Sequence, residues 1–369
     1  MALADAPSDP AGGSRPVLAV GGVHELVIGV RSIDDAVAFW GRFGFSTEGS
    51  VELTASESAS VYGVASAVRV RRMGHGSSDH GLLRLLEWEK PSGPGLATHP
   101  LRALGSRWGA MLTRSVLAVQ SHAESAQEQG AQVSWVSSSR QDPAGPVPRP
   151  FLDDLVHVRE MILCLPESRQ VLFERFGYSN PTYGAIVESA FPSSQVTHVG
   201  VVTAGDPSQV YFHQRVIGAL MTREASVSTA ADMASRRIFD LESGEHYRCW
   251  DFDDPASSPI PSQWRSGRLK YIHLDSAPVT DLRESSHLGA LGHTAYTWRV
   301  NDLTAARGNV IANGASSVTD AADDGLGRRS FSFVDPSGSG ARVRARQGGR
   351  WNGTEGVGAD DSMIMEVSP

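Results

Sequence analysis

Cysteine is nearly missing: Cys164 and Cys249 are the two in 369 residues, far apart and each inside a strand-like run. Two such thiols exclude a disulfide framework and a thiolate zinc site, and they fit a reducing cytoplasm. Long apolar runs are lacking as well, with none approaching the 18 or so residues of a membrane span. The opening "MALADAPSDPAGGSRP" lacks the basic end and apolar middle of an export signal. A cytoplasmic protein is expected. Basic clusters are also lacking: 33 Lys and Arg stand against 41 Asp and Glu, giving a formal charge of −8 and a pI near 5.8. No surface is left to track phosphates, so neither nucleic acid nor a membrane is an expected partner. No strand-following GxGxxG or GxxxxGK(S/T) is present, which leaves nucleotide chemistry unsupported.

What is present is a 40% hydrophobic content, enough for two globular domains with cores of their own. Residues 1–16 and the tail 347–369 are rich in Gly, Ser, Pro and acidic residues, and both read as disordered. The chain between them divides at Pro/Gly/Ser-rich linkers into 17–180 and 190–346.

A repeat runs through both parts with a period of roughly 85 to 100 residues. Its openings are "HELVIGVRSIDDAVAFWGRFGF", "RSVLAVQSHAESAQEQGAQVSW" from Arg114, "HVGVVTAGDPSQVYFHQRVIGALM" from His198 and "AYTWRVNDLTAARGNVIANGASSV" from Ala295. Each predicts strand, polar cap (Asp34 in the first), helix, glycine turn and strand. The closings "HGLLRLLEWEKP", "RQVLFERFGY", "GRLKYIHLDSAP" and "GARVRARQ" predict two further strands per unit, and Asp335-Pro336 supplies turn chemistry before the last. The fold class is therefore α+β, built from four βαβββ units. Trp40, Phe39, Phe212 and Tyr211 are candidate core residues. Glu174 and His198 stand out, because an unpartnered carboxylate in "VLFERF" or imidazole in "HVGVV" costs several kcal/mol if buried.

Four βαβββ units with these openings and a "FVDPSG" hairpin resemble the vicinal oxygen chelate superfamily of glyoxalase I, extradiol dioxygenases and bleomycin-resistance proteins. The resemblance covers about residues 20 to 346. It implies two half-closed mixed-sheet barrels whose metal ligands come from the first and last strand of each unit. The first-strand positions fall on Glu25 or its neighbour His24, then Arg114, His198 and Ala295. The last-strand positions fall on Glu87, Glu174, His273 and Arg342 or Arg344.

If units two and three share a barrel, as in fused glyoxalases, His198, His273 and Glu174 gather as metal ligands, with Arg114 available to hold a substrate oxygen. Two imidazoles and a carboxylate suit non-haem Fe(II), with Mn, Co, Ni or Zn as other occupants. If consecutive units pair, as in extradiol dioxygenases, the acid is missing. Glu87 is expected to meet Arg342 or Arg344 in a salt bridge that closes a degenerate barrel. Tyr178 and Tyr183 are expected to pack on the surface, with a place bordering the favoured site as the alternative, and the insertion 253–267 is placed to overhang a site.

The resemblance implies a mononuclear metal enzyme acting on a small oxygenated organic substrate, an Fe(II) oxygenase first and a glyoxalase-type isomerase or lyase second. A third reading is a metal-free binding protein that sequesters a small cationic metabolite or antibiotic in an acidic groove. Plain hydrogen-bonded histidines and a surface pair of Glu174 with a neighbouring arginine are the bland alternatives. A monomer or a homodimer fits either function.

Overall fold

One capping arrangement recurs four times along the chain. Ser32 accepts from the Asp35 N–H at 3.2 Å, Ser115 from Ala118 at 3.2 Å, Asp206 from Ser208 at 2.8 Å and Asp302 from Ala305 at 2.9 Å. Each satisfies an amide that the start of a helix leaves open, so each marks where a unit turns from its first strand into its helical segment. The computed structural model describes residues 16–96, 101–105, 107–141, 157–180, 182–228, 234–257, 265–274 and 279–346. The N-terminal segment up to residue 15, the tail from 347 and residues 258–264 of the insertion lie outside the described residues.

Unit one runs β1 (Ala19–Gly29), α1 (Ile33–Gly41), β2 (Phe45–Leu53), α2 (Ala55–Tyr62), β3 (Val68–His75) and β4 (Leu82–Trp88). After a short β5 (Ala103–Leu104), unit two runs β6 (Arg107–Thr113), α3 (Val116–Glu128), β7 (Ser134–Gln141), β8 (His157–Leu165) and β9 (Ser168–Phe176). Unit three is β10 (Ser193–Thr203), α4 (Phe212–Ile217), β11 (Leu220–Ser228), α5 (Ala234–Ile238), β12 (His246–Asp253) and β13 (Arg268–Leu274). Then come β14 (Thr280–Asp281), which pairs with β5, and unit four: β15 (Gly292–Val300), α6 (Leu303–Ala312), β16 (Ala322–Asp323), β17 (Arg329–Val334) and β18 (Gly340–Ala345).

Two eight-stranded sheets result, ordered β16-β17-β18-β15-β1-β4-β3-β2 and β11-β12-β13-β10-β6-β9-β8-β7. Within each unit the first strand runs parallel to the last, and hairpins join the last strands antiparallel. First strands meet antiparallel at the centre of each sheet, β1 with β15 and β10 with β6. Units one and four therefore make one barrel and units two and three the other. The division of the chain at 180–190 is a boundary between units, and it does not separate the two barrels.

Side chains alternate across a strand, and the two faces carry different cores. On the outer faces, Leu26, Ile28, Tyr296 and Trp298 of the first sheet join Met111, Leu172, Val199 and Tyr271 of the second, together with Trp40, Val116, Phe212 and Leu303 from the helices. One continuous core thus lies between the sheets. The inner faces have separate cores: Val27, Val70, Leu86 and Ala295 under Tyr62 of α2, and Ala110, Val171, Phe173, Val202 and Ile272 under Ile238 of α5.

The barrels are laced together where their central strands bulge, between Val23 and Glu25 in β1 and between Val196 and His198 in β10. The Gly81 N–H donates to the Val23 carbonyl at 3.1 Å, and Val196 donates to the Gly81 carbonyl at 3.0 Å. Gly267 donates to Thr197 at 2.7 Å and accepts from Val23 at 2.5 Å. Gly81 has φ +66°, and a Cβ there would stand 2.1 Å from the Val196 carbonyl oxygen. Only glycine fits that turn.

Two local expectations are corrected. Asp34 lies inside the first turn of α1, and the cap is Ser32. The segment "RSVLAVQ" is not a strand: Ser115 caps a 13-residue helix whose buried residues Val116, Val119 and Ala123 follow helical spacing, and the strand of unit two is the preceding "RWGAMLT".

Candidate functional site

Strand register decides which of the expected site residues can meet. His198 pairs with Arg268 of β13 and with Ala110 of β6, and Ala110 pairs with Val171 of β9. Paired residues share a face, so Arg268 and Val171 lie on the inner side with His198. His273 is five residues beyond Arg268 and Glu174 three beyond Val171. Both odd offsets turn the side chain to the other face.

The contacts agree. Glu174 accepts a hydrogen bond from the Val116 N–H at 3.1 Å, at the start of α3. His273 Nδ1 is 3.3 Å from the Thr203 hydroxyl, and its ring stands edge-on to Trp250. Arg114 follows β6 on the exposed surface, paired with Glu188. The structure does not bring His198, His273 and Glu174 together, and no three His, Cys, Asp or Glu side chains converge as a ligand set among the described residues.

Glu87 repeats the role of Glu174, accepting from the Ile33 N–H at 2.7 Å and pairing with Arg69 rather than with Arg342 or Arg344. A carboxylate at a helix N-terminus is favourable in its own right. The salt bridge inside the first barrel exists, but the carboxylate is Glu25. Arg84 Nε and Nη2 donate to Glu25 at 2.8 and 3.3 Å, Arg344 donates at 3.1 Å, and Arg84 also donates to Asp324 at 2.9 Å. Glu25, Arg84, Asp324 and Arg342 are all fully buried. Burial alone would raise the Glu25 carboxyl, yet Arg84 and Arg344 hold it well below the usual range. His24 sits at the bulge, with Nδ1 2.8 Å from the Asp79 carbonyl and Nε2 2.9 Å from Arg344 Nη1. Burial pushes its pKa down to about 3, so it stays neutral.

The inner face of the second barrel is built around a matching guanidinium. Arg268 donates to both Asp253 oxygens at 2.7 and 2.8 Å and to Asp251 at 3.0 Å. Lys270, Arg223 and His198 surround Asp251. Burial would raise Asp251, but Arg268, Lys270 and Arg223 bring it down to about 2; Asp253, for which burial outweighs Arg268, is shifted up. His198 is held well below the normal imidazole range, first by burial and then by Lys270 and Arg268. Its Nδ1 is 3.0 Å from the hydroxyl of Tyr183, whose pKa burial pushes up to about 12. A protonated phenol and a neutral imidazole share this hydrogen bond, and its direction follows the imidazole tautomer. Tyr183 is thus buried beside His198 and not packed on the surface.

The residues that sequence reasoning missed are Arg84, Asp251, Asp253 and Arg268. The signal was available in "RCWDFDD", where two aspartates two apart share a strand face opposite the arginine of "GRLKY".

A divalent metal does not fit either inner face. The second offers a single imidazole beside Asp251 and Asp253, both held by Arg268, and a Glu160 carboxyl that burial shifts up; the first offers two carboxylates, Glu25 and Asp324, both held by Arg84, with Arg72, Arg342 and Arg344 also around Glu25.

No family model and no curated protein match the chain. Solved structures do. Glyoxalase I from Zea mays superposes with a TM-score of 0.50 at 12% identity, covering 88% of this chain and 92% of that one. A putative dioxygenase from Bacillus subtilis gives 0.52 at 9% identity, covering 89% and 86%. At those identities the likeness is one of fold.

Proposed function

We propose, from the premise that the chain has the vicinal oxygen chelate fold, that it is a metal-independent binding protein for a small oxygenated organic anion, held on the inner face of the second barrel. One observation carries this reading: a fully buried arginine bridges two carboxylates inside each barrel, Arg84 with Glu25 and Asp324, and Arg268 with Asp251 and Asp253. A guanidinium tethered to the sheet supplies the positive charge that a bound cation would bring. Neither the oxygenase nor the glyoxalase-type reading finds its ligand set among the described residues.

The charges around Arg268 favour an anion over the cationic ligand first considered. Arg175, Arg223 and Lys270 are partly exposed on this face beside one partly exposed carboxyl, Glu160, which burial shifts up, whereas Asp251 and Asp253 are fully buried. The neutral His198 ring adds a further polar group to this face. Asp251 Oδ1 has no hydrogen-bond partner, with the Lys270 ammonium 3.6 Å away. A ligand with an anionic oxygen for Lys270 or Arg223 and a hydroxyl for Asp251 answers both groups, and the rings of Phe173 and Tyr183 flank His198. Charge-assisted hydrogen bonds of this kind outweigh neutral ones about twofold.

Calorimetric titration with a panel of 2-hydroxy and 2-oxo carboxylates, with chelator present, tests the reading. Saturable binding that chelator leaves unchanged, weakened at least about tenfold in Lys270→Met, is the expected result. Binding that requires an added divalent metal, or that selects cations over carboxylates, contradicts it.

A further inference from the structure

A small cavity lies at the seam between the barrels. Leu96, Arg107, Glu167, Ser168, Arg169, Gly292 and His293 line it, and at about 10 Å3 it has room for one water-sized species. Its polar side chains come from both sheets: Arg107 and Arg169 from unit two, His293 from unit four. Arg107 is 1% exposed, Arg169 2% and His293 8%, so the site is a built one and not a patch of surface.

The hydrogen-bond account of Arg107 is incomplete on one edge. Its Nη1 donates to the Ser286 carbonyl at 2.5 Å and reaches toward the carbonyls of Gly105 and His293 at 3.4 Å. Nε and Nη2 have no partner. Those two atoms form the side-on fork with which a guanidinium grips one anion. His293 is in the same condition: Nε2 is 3.3 Å from the Ser168 hydroxyl, and Nδ1 has no partner. Arg169 lies close enough, with Arg107, to hold the His293 pKa down to about 3 after burial has lowered it. The one carboxylate lining the cavity, Glu167, is engaged with Arg31 at 3.0 Å.

An uncompensated guanidinium taken out of water costs several kcal/mol. The buried Asp335 carboxylate acts on Arg107 through space, but nothing hydrogen-bonds its Nε/Nη2 edge, and Arg169 adds a second buried guanidinium at the cavity. We infer that the cavity is a binding site for one small monovalent anion, of chloride size, held by the Nε/Nη2 edge of Arg107 between Arg169 and His293. Because Arg107 and Arg169 belong to one barrel and His293 to the other, the anion ties the two together. The site is independent of the ligand proposed for the second barrel.

Bromide is the probe. Crystals grown without halide and soaked in sodium bromide should show an anomalous peak within hydrogen-bonding distance of Arg107 Nε and Nη2. In solution, sodium bromide should raise the melting temperature saturably above sodium gluconate at equal ionic strength. Arg107→Lys keeps the charge and a donor to the backbone carbonyls but loses the fork, so it should fold and show an apparent bromide affinity at least about tenfold weaker. If Arg107→Lys proves unstable, His293→Phe, which fills part of the cavity, should abolish the peak. Absence of the peak in wild type, a peak at soaking concentration with no solution effect, or equal shifts in bromide and gluconate would each overturn the inference.

Discussion

His80 Nε2 and Ser266 Oγ meet 2.5 Å apart across the seam of the two barrels, each on the residue just before a left-handed glycine, Gly81 and Gly267. The two hairpins hold corresponding places, before β4 in unit one and before β13 in unit three. Asp79 Oδ1 is 2.9 Å from His80 Nδ1, and Gln195 donates to Ser266 at 3.0 Å. Ser266 is 2% exposed, so these four residues act as a clasp between barrels.

Removing the clasp should loosen the seam. His80→Ala is expected to lower unfolding free energy by about 1 kcal/mol, the scale of one or two lost hydrogen bonds. Gly81→Ala should cost more, upward of about 2 kcal/mol, since it adds strain at positive φ to the clash with the Val196 carbonyl. Urea denaturation of the two variants beside wild type gives the order, and a Gly81→Ala variant as stable as wild type contradicts the seam as described.

The two candidate carboxylates of unit one should separate clearly. Glu25→Gln breaks a fully buried pair and leaves Arg84 and Arg344 short of charge, a loss of roughly 3 to 5 kcal/mol. Glu87→Gln loses a helix-start hydrogen bond and a half-exposed pair with Arg69, worth about 1 kcal/mol. Equal losses in thermal unfolding would mean that Glu25 does not close the barrel.

Much of the architecture was legible in the sequence, and the failures share one cause. Four openings and four closings pointed to the βαβββ order, and the likeness to fused glyoxalases offered, as one of two alternatives, the pairing of two with three and one with four that the sheets have. Asp335 makes the expected turn, its carbonyl accepting from Gly338 at 2.9 Å. Core residues Trp40 and Phe212 are 2% and 0% exposed. The site was harder because a strand position is a statement about parity. Glu87, Glu174 and His273 each sit an odd number of residues from an inner-face position, so the same motif that resembles a ligand faces a helix or the inter-sheet core instead. In unit two the apolar "VLAV" masked a helix start that Ser115, read as a cap, would have revealed. That displacement carried Arg114 out of the strand.

Acid should destabilise the protein through Asp251. Its carboxyl is depressed from 3.8 to about 2, so the stability it adds is complete above pH ~4 and is lost as pH falls toward 2. The shift corresponds to roughly 2 kcal/mol. Asp253, shifted up, moves the opposite way, and the informative quantity is therefore the difference between wild type and Asp251→Asn. That difference should shrink between pH 5 and about 2.5 in urea titrations. A difference that stays constant or grows with acid contradicts the Arg268 network.

Metal content, measured by elemental analysis after purification without chelator and again after anaerobic incubation with Fe(II), Mn(II) or Zn(II) and desalting, tests the central claim most directly. If tethered arginines hold the cationic place in both barrels, wild-type protein should retain far less than one equivalent of any metal, and His198→Ala should be indistinguishable from it. One equivalent of metal retained by wild type and lost in His198→Ala would contradict the account.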